Sequence, residues 1–294
     1  MIDLRLSVSF QTDQLSDCEL DRLFEVLEGP GLRRVGTEVL KAVAPRRKLD
    51  TMSIYGVQRL GANKIRFFRG REHDEALAYR EQLRSQGNLR LTSAGFGIRP
   101  SDRAEQIVSC DAALQVRPDG GSSMPLAFRA SWTFWGEAWR EWAPAASDAL
   151  FDLFVEVAEA AELISGLATW ADDPNETYNY AANLWRDRGS EPFVPGYRTM
   201  VFLPPEAAAR LGGSERVVSE APVERVSVLD RGGVVAMLCH SPDQLTENAL
   251  SSWRDFLLPV VTLPDFEHAR STWTPTTPTR RPLDVLASDW PHDD

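Results

Sequence analysis

Apolar and polar positions are patterned most clearly between residues 195 and 264, where they outline a βαββα unit. Residues 197–203 (YRTMVFL) alternate and are rich in aromatic and β-branched types, which suits a half-buried strand that Pro204 and Pro205 stop. Residues 206–211 predict a short helix closed by Gly212 and Gly213, the residue type that takes the left-handed conformation past a helix end. Residues 226–229 and 234–239 are apolar runs joined by Asp230-Arg231-Gly232-Gly233, a hairpin signature. A second helix over 244–258 sets Leu245, Leu250, Trp253, Phe256 and Leu257 largely on one face.

The rest of the chain follows the same logic. Residues 4–10 (LRLSVSF) alternate as a strand. Ser16 with Glu19 three residues on is a capping box, and the helix it starts presents Leu20, Leu23, Phe24 and Leu27 before Gly29-Pro30-Gly31 ends it. Residues 52–60 and 64–68 predict two strands around Gly61-Ala62-Asn63, residues 72–83 a helix and residues 89–98 a strand. Residues 107–116 and 126–134 pair as a hairpin across the turn at Pro118-Asp119-Gly120-Gly121. Trp132, Trp135, Trp139 and Trp142, spaced three, four and three apart, share one face if that segment is helical; such a stripe is more often core than a partner platform. Phe151, Leu153, Phe154, Val157, Ala158 and Ala161 supply the apolar face of the longest helix, with Asp152, Glu156, Glu159 and Glu162 on or near its solvent side.

Pro195-Gly196-Tyr197, Leu203, Leu211-Gly212-Gly213, Gly232-Gly233 and Leu257-Leu258-Pro259 stand in an order that resembles the C-terminal half of the type VI immunity family, the cognate antidotes of secreted bacterial toxins. Upstream, residues 125–134 look like that family's central strand, residues 148–163 like its long helix, and Ser165-Gly166-Leu167-Ala168 like the strand entering the next segment. The resemblance spans residues 124–264 and is weak before them. It implies a protein that acts by binding and neutralising a toxin.

Charge is unevenly distributed. Through residue 100 there are 17 Lys and Arg against 13 Asp and Glu, a net of +4; the remainder carries 15 against 30, a net of −15. The acidic part repels nucleic acid and attracts basic partners, besides keeping the chain soluble. No span is apolar enough to cross a bilayer, and the first residues begin as a strand rather than a secretory signal, so a cytoplasmic location is expected. Cys18, Cys110 and Cys239 are odd in number and far apart, which supports neither a disulfide framework nor a zinc site; buried free thiols are expected.

Two candidate surfaces follow. Asp172-Asp173-Pro174-Asn175 is a turn signal that opens a segment carrying Glu176, Tyr178, Tyr180, Trp185, Asp187 and Glu191. Carboxylates interleaved with aromatic rings give an interface both charge steering and buried anchors, so Asp172, Asp173, Glu176, Tyr178, Tyr180, Trp185, Asp187 and Glu191 are the expected partner-binding residues; a surface helix with inward aromatics has the same pattern. Lys64, Arg66, Arg69 and Arg71 interleave with Phe67 and Phe68, which offers a phosphate-tracking and base-stacking surface, but no recognised nucleic-acid module accompanies them, and a solvated face over core aromatics is the preferred reading. Four histidines, His73, His240, His268 and His292, show no metal spacing and no nucleophile motif, and there is no phosphate-binding loop. Carboxylate chemistry leaves no signature in a single sequence, so an enzyme stays open as an alternative.

The expectation is an α+β fold with mixed or antiparallel sheets, helices packed on one face, and room for two similar βαββα-type units. Its parts are a mildly basic unit over residues 1–100, an acidic body over 101–264 and a Pro/Thr-rich tail over 265–294, within which residues 272–282 run extended. The expected function is binding a cognate, basic toxin protein in the cytoplasm with no cofactor, no metal and no membrane; the alternatives are a nucleic-acid-associated protein using residues 64–71 and a carboxylate enzyme.

Overall fold

The computed structural model describes residues 1–10, 16–28, 39, 49–100, 108–116, 128–172, 192–261, 281 and 283–289. Among them ten strands form one sheet. In chain order these are β1 (Ile2–Phe10), β2 (Leu49–Arg59), β3 (Arg66–Arg69), β4 (Leu89–Pro100), β5 (Val108–Gln115), β6 (Phe128–Phe134), β7 (Leu163–Ala171), β8 (Met200–Leu203), β9 (Arg225–Val228) and β10 (Val234–Met237). Their spatial order is β3-β2-β4-β5-β6-β1-β7-β8-β10-β9, and every neighbouring pair is antiparallel. The fold is α+β. The N-terminal strand β1 lies mid-sheet, between β6 and β7.

Three helices cover one face. α1 (Asp17–Glu28) packs against the long α3 (Ala138–Ala160) and over β4 and β5, α2 (His73–Ser85) lies over β2, β3 and β4, and α3 spans β1, β6 and β10. Alternate strand residues point to opposite faces, so the inward set is readable from the register: Tyr55, Ala94, Ala112 and Ala130 align across β2, β4, β5 and β6 and are all buried beneath these helices. The Ser16–Glu19 capping box forms as the sequence predicts: the Ser16 hydroxyl and amide donate to Glu19 Oε2 at 2.6 and 2.9 Å.

Beyond β7 the sheet gains a second cover. Met200, Phe202, Val235 and Met237 join the core under α3, while Val201, Leu203, Val234 and Ala236 face a separate core. That second core is closed by α4 (Pro205–Arg210), α5 (Ser214–Glu220) and α6 (Glu247–Leu257) through Ala207, Ala208, Val217, Leu250, Trp253 and Leu257. Helices therefore lie on one face along most of the sheet and on both faces at β8 and β10. Gly212 and Gly213 close α4 at φ +98, and their amides donate to Ala209 and Ala208 carbonyls, ending the helix where the sequence places its stop. The hairpin through Gly232 also forms, at φ +84.

Several expectations need correction. The tryptophans do not share a helix face: Trp132 is a buried residue of β6, Trp135 and Gly136 turn the chain, and α3 begins at Ala138 with Trp142 buried and Trp139 half-buried. A strand ends inside the stripe because the β6 register to β1 and β5 continues through Phe134. α3 starts ten residues before 148, carries Pro144 near its start and stops at Ala160, leaving Leu163 to β7. The strand expected from residue 197 begins at Met200, and α5 was not foreseen between Gly213 and Val226. Cys18 is exposed, whereas Cys110 and Cys239 are buried; all three are free.

Candidate functional site

Of the partner-binding residues expected from sequence, Asp172 lies just after β7 and is exposed. Asp173, Glu176, Tyr178, Tyr180, Trp185, Asp187 and Glu191 fall outside the described residues, as does the tail from 265 to 280. The described surface offers a different site.

The face of β2, β4 and β5 opposite α1 and α2 carries no helix among the described residues. Register sets Met52 beside Gly97 and Ser109, Ile54 beside Gly95 and Asp111, and Gly56 beside Phe67 and Ser93. Met52, Ile54 and Phe67 are 49%, 43% and 64% exposed, unusual for large apolar side chains grouped on one surface. Between them and Asp111 the backbone of β4 drops to glycine, leaving a groove of about 310 Å³ floored by Gly95 and Gly97. Ser131 Oγ donates to Asp111 Oδ1 at 3.1 Å, which orients that carboxylate at the inner wall. The groove is small for a ligand-enclosing pocket and open along the sheet, a shape suited to one or two side chains of a partner.

Two of the glycines near this groove, Gly56 and Gly95, differ in what they do. A Cβ on Gly56 would stand 2.4 Å from Ser93 Oγ and 2.9 Å from Ile65 Cγ2, so a larger residue there requires those side chains to shift. On Gly95 it would meet Cys110 O at 3.4 Å and Asp111 Cβ at 3.6 Å, ordinary contacts. A methyl group at 95 therefore meets no clash. Glycine weakens a strand interior and marks places where another backbone or ligand approaches closely. That signal was present in the sequence as Gly95-Phe96-Gly97, two glycines on one strand face, and the strand prediction did not use it.

The basic and aromatic residues of β3 divide across the sheet. Phe68 is buried beneath Tyr79, and the Arg66 guanidinium lies 4.7 Å from the Phe68 ring centroid and 4.9 Å from that of Tyr79. Phe67 faces the opposite side with Arg69, as their pairing to Gly56 and Ile54 requires. The cations therefore do not form one track.

Two polar clusters lie elsewhere. Asp284, fully buried, accepts from Thr169 Oγ1 at 2.6 Å and from the amide and hydroxyl of Thr199 at 2.9 Å each, with buried Arg198 Nη1 at 3.6 Å. Tyr197 donates its hydroxyl to Asp289 at 2.6 Å and accepts from the Leu286 amide; burial, then the Asp289 hydrogen bond, pushes that phenol well above its usual range. These contacts strap residues 283–289 over β7 and the entry to β8. On the other side, His240 sits between Asp148 (3.2 Å) and Glu224 (3.0 Å), while Arg225 reaches Asp148 and Asp152 of α3. Asp152 and Glu159, placed near solvent by the sequence, are partly exposed and also hold the β9–β10 hairpin, Glu159 accepting from the Asp230 amide. Cys239, next to His240, points into the second core, and burial foremost pushes its thiol up to about 12, which keeps thiolate from forming at neutral pH. Among the described residues no group of three or more His, Cys, Asp and Glu is placed to hold a metal, and no helix is long and apolar enough to cross a membrane.

Comparisons with protein-family models, curated proteins and solved structures found no match to this chain.

Proposed function

We propose that this protein works by binding another protein, and that it serves as an immunity protein that neutralises a cognate secreted bacterial toxin in the cytoplasm. The observation that carries the binding reading is the exposed apolar groove on the β2–β4–β5 face. Met52, Ile54 and Phe67 expose apolar surface in one place, which in a soluble protein is a cost unless a partner covers it. The immunity reading adds the ordered resemblance over residues 124–264. An acidic chain of net charge −11 also steers toward a basic partner, raising association rate more than final affinity.

The test is co-expression of this chain with each protein encoded beside its gene. Rescue of cells from a neighbour that kills when expressed alone, together with a stoichiometric complex, is the expected outcome. Harmless neighbours and no complex would leave the immunity reading without support.

A further inference from the structure

We infer that the cleft over β7 and the entry to β8 is a binding site for an acidic peptide segment, and that residues 284–289 fill it as a tethered ligand rather than as an integral part of the fold. The pattern the cleft reads is an Asp, two aliphatic residues, two further residues and a second Asp, as in Asp284-Val285-Leu286-Ala287-Ser288-Asp289. The site is independent of the toxin-binding reading. The body holds both carboxylates. Thr169 of β7, Arg198 and Thr199 converge on Asp284, and Tyr197 and Arg254 of α6 converge on Asp289, Arg254 Nε donating at 2.7 Å. A fully buried carboxylate met by a cation, two hydroxyls and an amide is the arrangement a receptor pocket offers to a ligand's acid group. The chain as a whole is acidic, but each of these two carboxylates faces an arginine, Arg254 pairing also with Asp255 at 3.5 Å.

The way the segment is attached is that of a ligand. It adds no strand to the sheet, where β7 is already paired with β1 and β8. Among the described residues one main-chain bond joins residues 283–289 to the body, from the Leu283 amide to the Trp170 carbonyl at 3.1 Å. The hold is otherwise by side chains: the two carboxylates, and between them Val285 and Leu286, 3% and 8% exposed, with Leu286 entering the second core. Anchor side chains at fixed spacing are how short peptides engage a folded surface. Residues 262–280 link the segment to the body, and a link of that length sets an effective concentration on the order of millimolar. The cleft is therefore filled in cis, and a partner protein presenting the same pattern is the ligand it takes once the resident segment is out.

The test inserts a protease recognition sequence between Thr276 and Thr277 of the full chain and cuts the folded protein there. Fluorescence anisotropy then follows exchange of the severed fragment for a fluorescein-labelled synthetic peptide of residues 281–290. Contacts that hold the tethered segment closed about a thousandfold over open, at that effective concentration, correspond to a dissociation constant of about 1 μM for the peptide and the cut protein. Uncut protein is expected to take the peptide up about a thousandfold more weakly, because its own segment competes. Asp284→Ala in the peptide is expected to weaken uptake about a hundredfold or more, and Asp289→Ala about tenfold. These changes lie in the peptide, so the folding of the chain does not enter the comparison. Three results would each overturn the site: a cut protein that keeps its fragment against a large excess of peptide, one that loses cooperative thermal unfolding once the fragment is gone, or equal uptake of the Asp284→Ala peptide.

Discussion

β10 and β5 belong to one sheet but meet different surroundings. β10 (VVAM) is buried at all four positions because α3 covers one face and α4 to α6 the other. β5 (VSCDAALQ) alternates: Val108, Cys110, Ala112 and Leu114 are buried, and Ser109, Asp111, Ala113 and Gln115 lie on the side that no helix covers among the described residues. The same contrast separates β7 and β8, buried throughout, from β2 and β4, which bury one face. A strand enclosed on both faces is constrained by packing at every residue, whereas a strand covered once leaves alternate positions free for something other than stability. The covered end is the scaffold, and the open end is where a binding surface can be written.

The sharpest way to test the covered end is its buried polar strap. Asp284→Ala removes the carboxylate that faces buried Arg198 and accepts from Thr169 and Thr199. Removing one member of such a buried charge pair is expected to cost about 3–5 kcal/mol, read by denaturant unfolding. A loss below about 1 kcal/mol would mean that residues 283–289 do not secure this end.

How legible this division was in the sequence depended on the kind of residue. Apolar runs and turn glycines carried the strands, and the Ser16–Glu19 box and the Gly212-Gly213 stop were placed correctly because local chemistry decides them. Long-range pairing was not legible: nothing in residues 2–10 says that this strand inserts between β6 and β7, since register there follows from partners more than 100 residues away. The tryptophan spacing misled because periods of three and four suit a helix, yet the chain crosses from β6 to α3 inside the stripe. The groove was hidden in plain residue types, Met52, Ile54 and Phe67, that a sequence assigns to a core; only the sheet's one-sided cover shows they are outside.

Neighbouring residues of β3 sharpen the contrast further. Phe68 lies under Tyr79 and Arg66, so Phe68→Ala is expected to cost about 3 kcal/mol or more through cavity formation. Phe67, one residue earlier on the open side, should change stability by no more than about 0.5 kcal/mol when truncated to alanine. Equal losses at the two sites would show that the open face is packed against something and would remove the groove as a free surface.

The glycines give a smaller effect of opposite sign. Gly56→Ala forces Ser93 and Ile65 to move and is expected to destabilise by about 1–3 kcal/mol. Gly95→Ala meets no such clash and relieves the strand of a flexible residue, for a gain of up to about 0.5–1 kcal/mol. Thermal unfolding of the two variants side by side reads the difference, and a loss at Gly95 as large as that at Gly56 would return Gly95 to a packing role.

The helices that cover only one face are held partly by polar contacts at the surface, and these bring a pH dependence that a buried apolar layer does not. Arg84 of α2 pairs with Asp17 and Asp21 of α1, and Glu19 of α1 accepts from Ser16 and, at 3.4 Å, from the amide of Glu162. Partial burial pushes the Glu19 carboxyl up, but the hydrogen bonds from the Ser16 hydroxyl and amide outweigh it and hold the group below its ordinary value. A carboxyl lowered in the folded state stabilises fully above its unfolded pKa, and that stability is lost as pH falls through the folded value. Ser16→Ala is therefore expected to cost about 1 kcal/mol at neutral pH, the usual worth of a helix cap, and progressively less as acid protonates Glu19 in both proteins. Unfolding curves of the two proteins at neutral pH and below the carboxylate range measure that convergence; a gap that stays constant with pH would assign the cap's value to the Ser16 hydroxyl alone and leave the Glu19 charge without a part in holding α1.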